Sequence, residues 1–216
     1  MRTNTLRMIY IGLALLIALP ALAADFSAES AGAPPADGVP EAVKALLQTD
    51  GVRVKGPDGK VAVEIWGRKA AFEGDPVSGF GIRFKEIPEG AIVGLAHFPD
   101  NGSDYREQRI PAGAYTLRYG LHPEDGDHMG AAPSRDFVLL TPAAADTEAA
   151  VNYSFDDLVE LSYKVGNSHP TIARAQLADS DAASPHVWQN DLDQWVVDMK
   201  TAGEPIGIVV YGHAEE

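Results

Sequence analysis

The chain predicts an all-β-dominated fold, an antiparallel β-sandwich of jelly-roll or transthyretin-like kind with one or two short peripheral helices. Two observations carry that expectation. Apolar residues alternate at a period of two through many short segments, and turn-forming Gly, Pro and Asp separate those segments where a parallel sheet would need long helical crossovers.

The elements follow in order along the chain. Arg2 and Arg7 precede an apolar run over 8–19, then Pro20 and Ala21-Leu22-Ala23. A basic start, a run short for a bilayer span and a small-x-small triplet predict a secretory signal peptide over 1–23. Its removal would leave no stable membrane anchor and would place the protein in the periplasm or outside the cell. Residues 24–38 are small, polar and proline-containing, so they predict a flexible leader. Residues 39–216 are then long enough for a single β-sandwich domain with its own core.

Pro40 followed by Val43, Leu46 and Leu47 predicts a short helix ending near Thr49, and Asp58-Gly59 a tight turn. Val61, Val63 and Ile65, then Tyr115, Leu117, Tyr119 and Leu121, alternate with other residues as half-buried strands do. Further strands are expected over 81–87, 91–98, 136–140, 171–178, 194–200 and 205–211. The last two form a hairpin through Thr201-Ala202-Gly203-Glu204, with Trp195, Val197 and Met199 on one face. One helix interrupts them: Ser154 caps it, Asp156 and Asp157 suit its positive end, Leu158, Leu161 and Val165 form its apolar stripe, and Gly166 or Asn167 stops it. Ile87-Pro88-Glu89-Gly90-Ala91 is echoed by Ile110-Pro111-Ala112-Gly113-Ala114, which suggests two sheet corners built alike.

The stretch 110–140, with Glu64-Ile65-Trp66 upstream and Glu204-Pro205-Ile206-Gly207-Ile208 near the end, resembles an uncharacterised family of exported bacterial proteins. The resemblance implies export and one small β-rich domain, and no assigned activity. The Pro-x-Gly-x-Tyr-x-Leu pattern within it also resembles the accessory sandwich domains of secreted proteins.

Composition narrows the chemistry. Lys and Arg number 17 against 31 Asp and Glu, a net charge of −14 with His neutral, which argues against nucleic acid and favours a cationic or protein partner. There is no cysteine, so disulfides, a lipoprotein anchor, thiol catalysis, Cys-based zinc sites and iron–sulfur ligation are excluded. Nucleophile-elbow, zinc-helix and phosphate-loop patterns are missing as well.

The richest polar constellation runs from His122 to Met129. His122, Asp125, Asp127 and His128, completed by His169, are candidate ligands for a divalent metal ion, because imidazole and carboxylate on one loop are hard-to-borderline donors. A calcium-loop spacing from Asp125 fails at Met129 and Pro133. The bland alternative is that Asp-Gly makes a turn and the carboxylates cap amides or face water. Trp188, beside Pro185, His186 and Gln189, is the candidate for an exposed ligand contact, whereas Trp195 belongs to the core.

The preferred functional reading is therefore an exported, non-enzymatic binding or scaffold domain. The first alternative is a metal-binding protein or metal-dependent enzyme built on the His122-Asp125-Asp127-His128 loop. The second is a carbohydrate-binding accessory module that uses Trp188.

Overall fold

A computed structural model of the chain describes residues 25–104, 106–125, 132–179 and 183–212. Among the described residues there are twelve strands: β1 Ser27–Ser30, β2 Val52–Lys55, β3 Val61–Gly67, β4 Ile92–Phe98, β5 Gly102–Ser103, β6 Arg109–Ile110, β7 Gly113–Leu121, β8 Asp136–Pro142, β9 Ile172–Gln176, β10 His186–Gln189, β11 Trp195–Thr201 and β12 Glu204–Tyr211. Two short helices, α1 Glu41–Leu46 and α2 Phe155–Ser162, accompany them. The expected all-β antiparallel class with few short helices is what the chain adopts.

Ten strands form one sheet in the order β1-β2-β3-β4-β7-β8-β9-β12-β11-β10, antiparallel at every step, with β5-β6 as a small separate ribbon. The sheet curls until β1 comes against β10 and β11 lies over β2 and β3. Its two layers are thus continuous through the β8–β9 pairing, nearly a barrel. The inner faces supply the main core: Val63 and Ile65 from β3, Leu117 and Tyr119 from β7, Val197 and Met199 from β11, and Ile206 and Ile208 from β12. Removing such side chains from water is the main force holding the layers together.

Both helices lie on the outside of the first layer. Val43 of α1 packs with Trp66, Ile92 and Leu95, which point away from the main core. Leu158 of α2 packs on Phe137, Leu139 and Ile172. That is why β8 is buried on both faces, its Val138 and Leu140 inward and its Phe137 and Leu139 under α2. The Ser154 hydroxyl accepts from the Asp157 amide, and after a tighter turn over Tyr163–Val165 the helix stops at Gly166, whose φ is +102°. Among the described residues α2 packs on Ile172 at the start of β9, and no helix packs on the outside of β12, β11 and β10.

A buried ion pair ties the 142–153 connection to the barrel. Arg118 and Asp146 are both fully buried; Nε and Nη2 of Arg118 each reach a carboxylate oxygen at 2.7 Å, and Nη1 donates to the Gly90 and Val151 carbonyls. Nη2 also reaches the Glu148 carbonyl, so every guanidinium donor has an acceptor, the condition under which a buried charge is tolerated. Gly90 sits where a Cβ would stand 2.1 Å from the Tyr153 carbonyl oxygen. The two echoed corners, at Gly90 and Gly113, do lead into β4 and β7. The closing hairpin turns at Ala202 and Gly203, both with positive φ, the geometry that matches the twist of flanking strands.

Three expectations are corrected. Segment 81–87 is no strand; Ile82, Phe84 and Ile87 are buried at one end of the barrel while Arg83 and Lys85 face out, so the alternation records one-sided burial without a ladder. The leader expected over 24–38 contains β1, which pairs with β2 and is secured by Glu29 to Lys55 at 2.7 Å and by Ser30 to Asp50 at 2.7 Å. Phe26 adds contact with the rings of Trp195 and Tyr211, each 5.0 Å away. Finally, α1 ends at Leu46 because Leu47 is already extended and bridges to Arg68.

Candidate functional site

The outer face of the second layer is built by simple alternation. Ala175, Ile206, Ile208, Val197 and Met199 point inward, so Arg174 and Gln176 on β9, Gly207 on β12, Asp198 on β11, and His186 and Trp188 on β10 point outward. The register sets Gln176, Gly207, Asp198 and His186 in one row across four strands.

Asp198 organises that row. Only 8% exposed, its carboxylate faces His186 Nδ1 at 2.9 Å, accepts the Trp188 indole N–H at 3.0 Å and lies 3.3 Å from the Asp179 amide. The indole is therefore held by its polar edge, which leaves the ring surface to its surroundings. Gly207 beside Asp198 has no side chain, and a Cβ there would come 2.8 Å from Val196 Cγ1 and 3.3 Å from the Leu177 carbonyl oxygen. The chain leaving β9 crosses the sheet at that gap.

A second polar group adjoins it. The Asn190 amide donates to Gln176 Oε1 at 3.0 Å, its carbonyl accepts the Leu192 and Gln194 amides, and Arg174 Nη1 donates to Gln194 Oε1 at 2.9 Å. Above these groups opens a cleft of about 510 Å³, lined by Trp188, Gln176, Asn190, Arg174 and, from across, Arg83 and Ser134. Ligand pockets fall in this size range.

Arg83 reaches the cleft because its backbone is held from below. Asp136, 1% exposed, accepts the Arg83 amide at 3.0 and 3.1 Å, the Phe84 amide at 3.2 Å and the Tyr119 hydroxyl at 2.6 Å. Burial first, then the hydrogen bond to Asp136, pushes the Tyr119 phenol far above its ordinary range, so it remains a donor.

The sequence-predicted ligands do not assemble among the described residues. Asp127 and His128 lie outside them. His122 is buried with its ring 4.5 Å from that of Phe137, and its backbone pairs with Arg135. Asp125 is exposed. His169 is half-buried, with Nδ1 2.9 Å from its neighbour's carbonyl oxygen on Pro170. The strand register removes His169 from the group: His122 sits beside Arg135 at one end of β8, whereas Thr171 already faces Leu140 near the other end. At about 3.3 Å per residue the two imidazoles are roughly 20 Å apart along the strand. Among the described residues no three His, Cys, Asp or Glu side chains are grouped to hold a metal.

Trp188 was expected in a polar loop as an exposed contact; it lies half-buried in β10 instead, edge-bonded to Asp198, and still lines the cleft. Sequence reasoning missed Asp198, Gln176, Asn190 and Arg83. The signal for two of them was available, since Val197-Asp198-Met199 and Ala175-Gln176 set a polar residue opposite inward apolar ones. Two other hollows are structural. An apolar cavity of about 30 Å³ inside the barrel, bordered by Ile65, Leu117 and Ile208, is too small for more than a methyl-sized group or a single water. A surface hollow of about 460 Å³ beside α1 holds Arg68, whose guanidinium is already bound to the Ala70, Ala71 and Ile92 carbonyls.

Fold and cleft together define an all-β antiparallel domain with a polar cleft, bordered by Trp188, on the outer face of the second layer. Compared with known proteins, the chain matches no family model, no curated protein and no solved structure.

Proposed function

We propose that the chain is an exported, non-enzymatic binding domain whose cleft beside Trp188 takes a short saccharide. One observation carries the reading: a tryptophan whose indole N–H is fixed by Asp198 borders a cleft whose other polar groups include the side-chain amide of Gln176. Sugars present C–H faces that rest on aromatic rings and hydroxyls that both donate and accept, and primary amides offer both functions. The basic and apolar character of 1–23, and the resemblance of 110–140 to exported bacterial proteins, support the export half of the proposal.

A glycan array followed by calorimetry tests it. Binding of at least one oligosaccharide, weakened about tenfold or more in Trp188→Ala, is expected, in line with the loss of a buried aromatic anchor. Silence across the array at millimolar ligand sinks the reading.

A further inference from the structure

The charged groups bordering the cleft invert the balance of the chain. Overall, acids outnumber bases 31 to 17, yet Arg83 and Arg174 face the cleft with Asp191 as the one acid among its described lining residues. Within an acidic protein a local surplus of arginine selects for negative charge, because the surrounding field would otherwise repel it.

Arg83 is the more telling of the two. Its side chain is exposed, and among the described residues it has neither a hydrogen bond nor an ion pair. Its backbone is nevertheless anchored: the amide is clamped by both oxygens of buried Asp136, itself tied to Tyr119. Such an arrangement holds the root of the side chain still and leaves the guanidinium fork to meet a planar anion. Carboxylate is the match, since its two oxygens accept two parallel N–H donors.

We infer that the saccharide taken by this cleft is acidic, a uronic-acid oligosaccharide whose ring rests on Trp188 and whose carboxylate pairs with Arg83. The inference rests on the saccharide reading above and names its substrate class. Polar positioning then has a division of labour. Trp188 and Gln176 serve any sugar, and Arg83 distinguishes the acid from the neutral form.

The test compares tetragalacturonate and tetramannuronate with their methyl esters, which keep size and hydroxyls and remove charge. Calorimetry of the full chain at low salt should show each acid bound about fivefold tighter than its ester, the range of one exposed charge-assisted pair. In Arg83→Gln that preference should vanish while ester binding stays within about twofold, and Arg83→Lys should restore part of it. Among the described residues the Arg83 side chain bonds nothing, so an unchanged melting curve confirms that the variants are intact. If the esters bind as tightly as the acids, or if Arg83→Gln keeps the preference, the inference falls and the saccharide reading stands. If none of the four ligands binds, the inference falls, and the glycan array decides the saccharide reading by itself.

Discussion

Two rows of polar side chains cross four strands each on opposite outer faces of this barrel, and each ends in a histidine–carboxylate pair. On the first layer the register aligns Glu29, Arg53, Glu64 and His97. On the second it aligns Gln176, Gly207, Asp198 and His186. The first row alternates in charge with no gap: Arg53 reaches Glu64 at 2.6 Å and Glu29 at 3.3 Å, and His97 Nδ1 lies 2.9 Å from Glu64. All of its groups answer one another across neighbouring strands, as cross-strand pairs do. The second row is broken by a glycine, and its carboxylate turns to an indole and to a chain segment crossing overhead. A complete row is a surface that finishes the sheet. A row with a gap leaves groups over for something else, and a cleft lies there.

The largest expected effect comes from removing the organiser of the second row. Asp198→Ala leaves the Trp188 N–H and its other partners without an acceptor in a nearly buried place, which costs about 2–3 kcal/mol by the penalty for unsatisfied buried donors. Glu64→Ala, the same deletion in the first row, should cost about 1 kcal/mol, because Arg53 keeps a second carboxylate partner in Glu29. Denaturant unfolding of the two variants measures the difference. Equal losses would erase the distinction drawn between the rows. Asp198→Asn retains two polar atoms and should recover much of the stability.

Filling the gap comes next. Gly207→Ala introduces a Cβ 2.8 Å from Val196 Cγ1 and 3.4 Å from Asp198 Oδ1, so Val196 must yield and the 177–179 segment must lift. A loss of about 1–2 kcal/mol is expected from overpacking, together with weaker saccharide binding than in wild type. A variant that is as stable as wild type and binds normally would show that the glycine is incidental. For the metal alternative, chelator should leave the melting temperature of wild type unchanged, since a bound ion would stabilise the folded state by linkage.

The contrast also explains what the sequence made legible. Strands β3, β7, β8, β11 and β12 carry inward apolar residues at alternate positions, and the sequence predicts them together with β4. β1 has no large apolar residue; it is a strand because Glu29 and Ser30 find partners far along the chain, which no local pattern encodes. Segment 81–87 misleads in the opposite sense, since a loop laid over a barrel end buries alternate residues as a strand does. Of the cleft, the sequence singles out Trp188, and the alternation around Asp198 and Gln176 carries a weaker signal. Outward polar residues such as Asp198 and Gln176 look like any solvated strand face until the register sets them beside one another. The loop from His122 concentrates donors in sequence, but β8 holds His122 and His169 at different ends, and nearness along the chain is a poor guide to a site in a sheet.

The smallest expected effect belongs to the outermost pair of the first row. The Lys55 ammonium, and after it Arg53, hold the Glu29 carboxyl below its ordinary value of 4.5. A carboxyl whose folded pKa is depressed stabilises the fold above its unfolded value, and that contribution is lost as pH falls through the folded value. The melting temperature should therefore decline as pH is lowered below about 4.5, and Glu29→Gln should show a slightly shallower acid limb. The amplitude is small because Glu29 is open to solvent and its pairs are screened, so the difference should shrink further in about 1 M salt. Arg53, raised above its ordinary value chiefly by its bond to Glu64, keeps its charge throughout and cannot supply the transition. An acid limb that is unaltered in Glu29→Gln would move the titrating group elsewhere and leave the first row as geometry without measurable electrostatic weight.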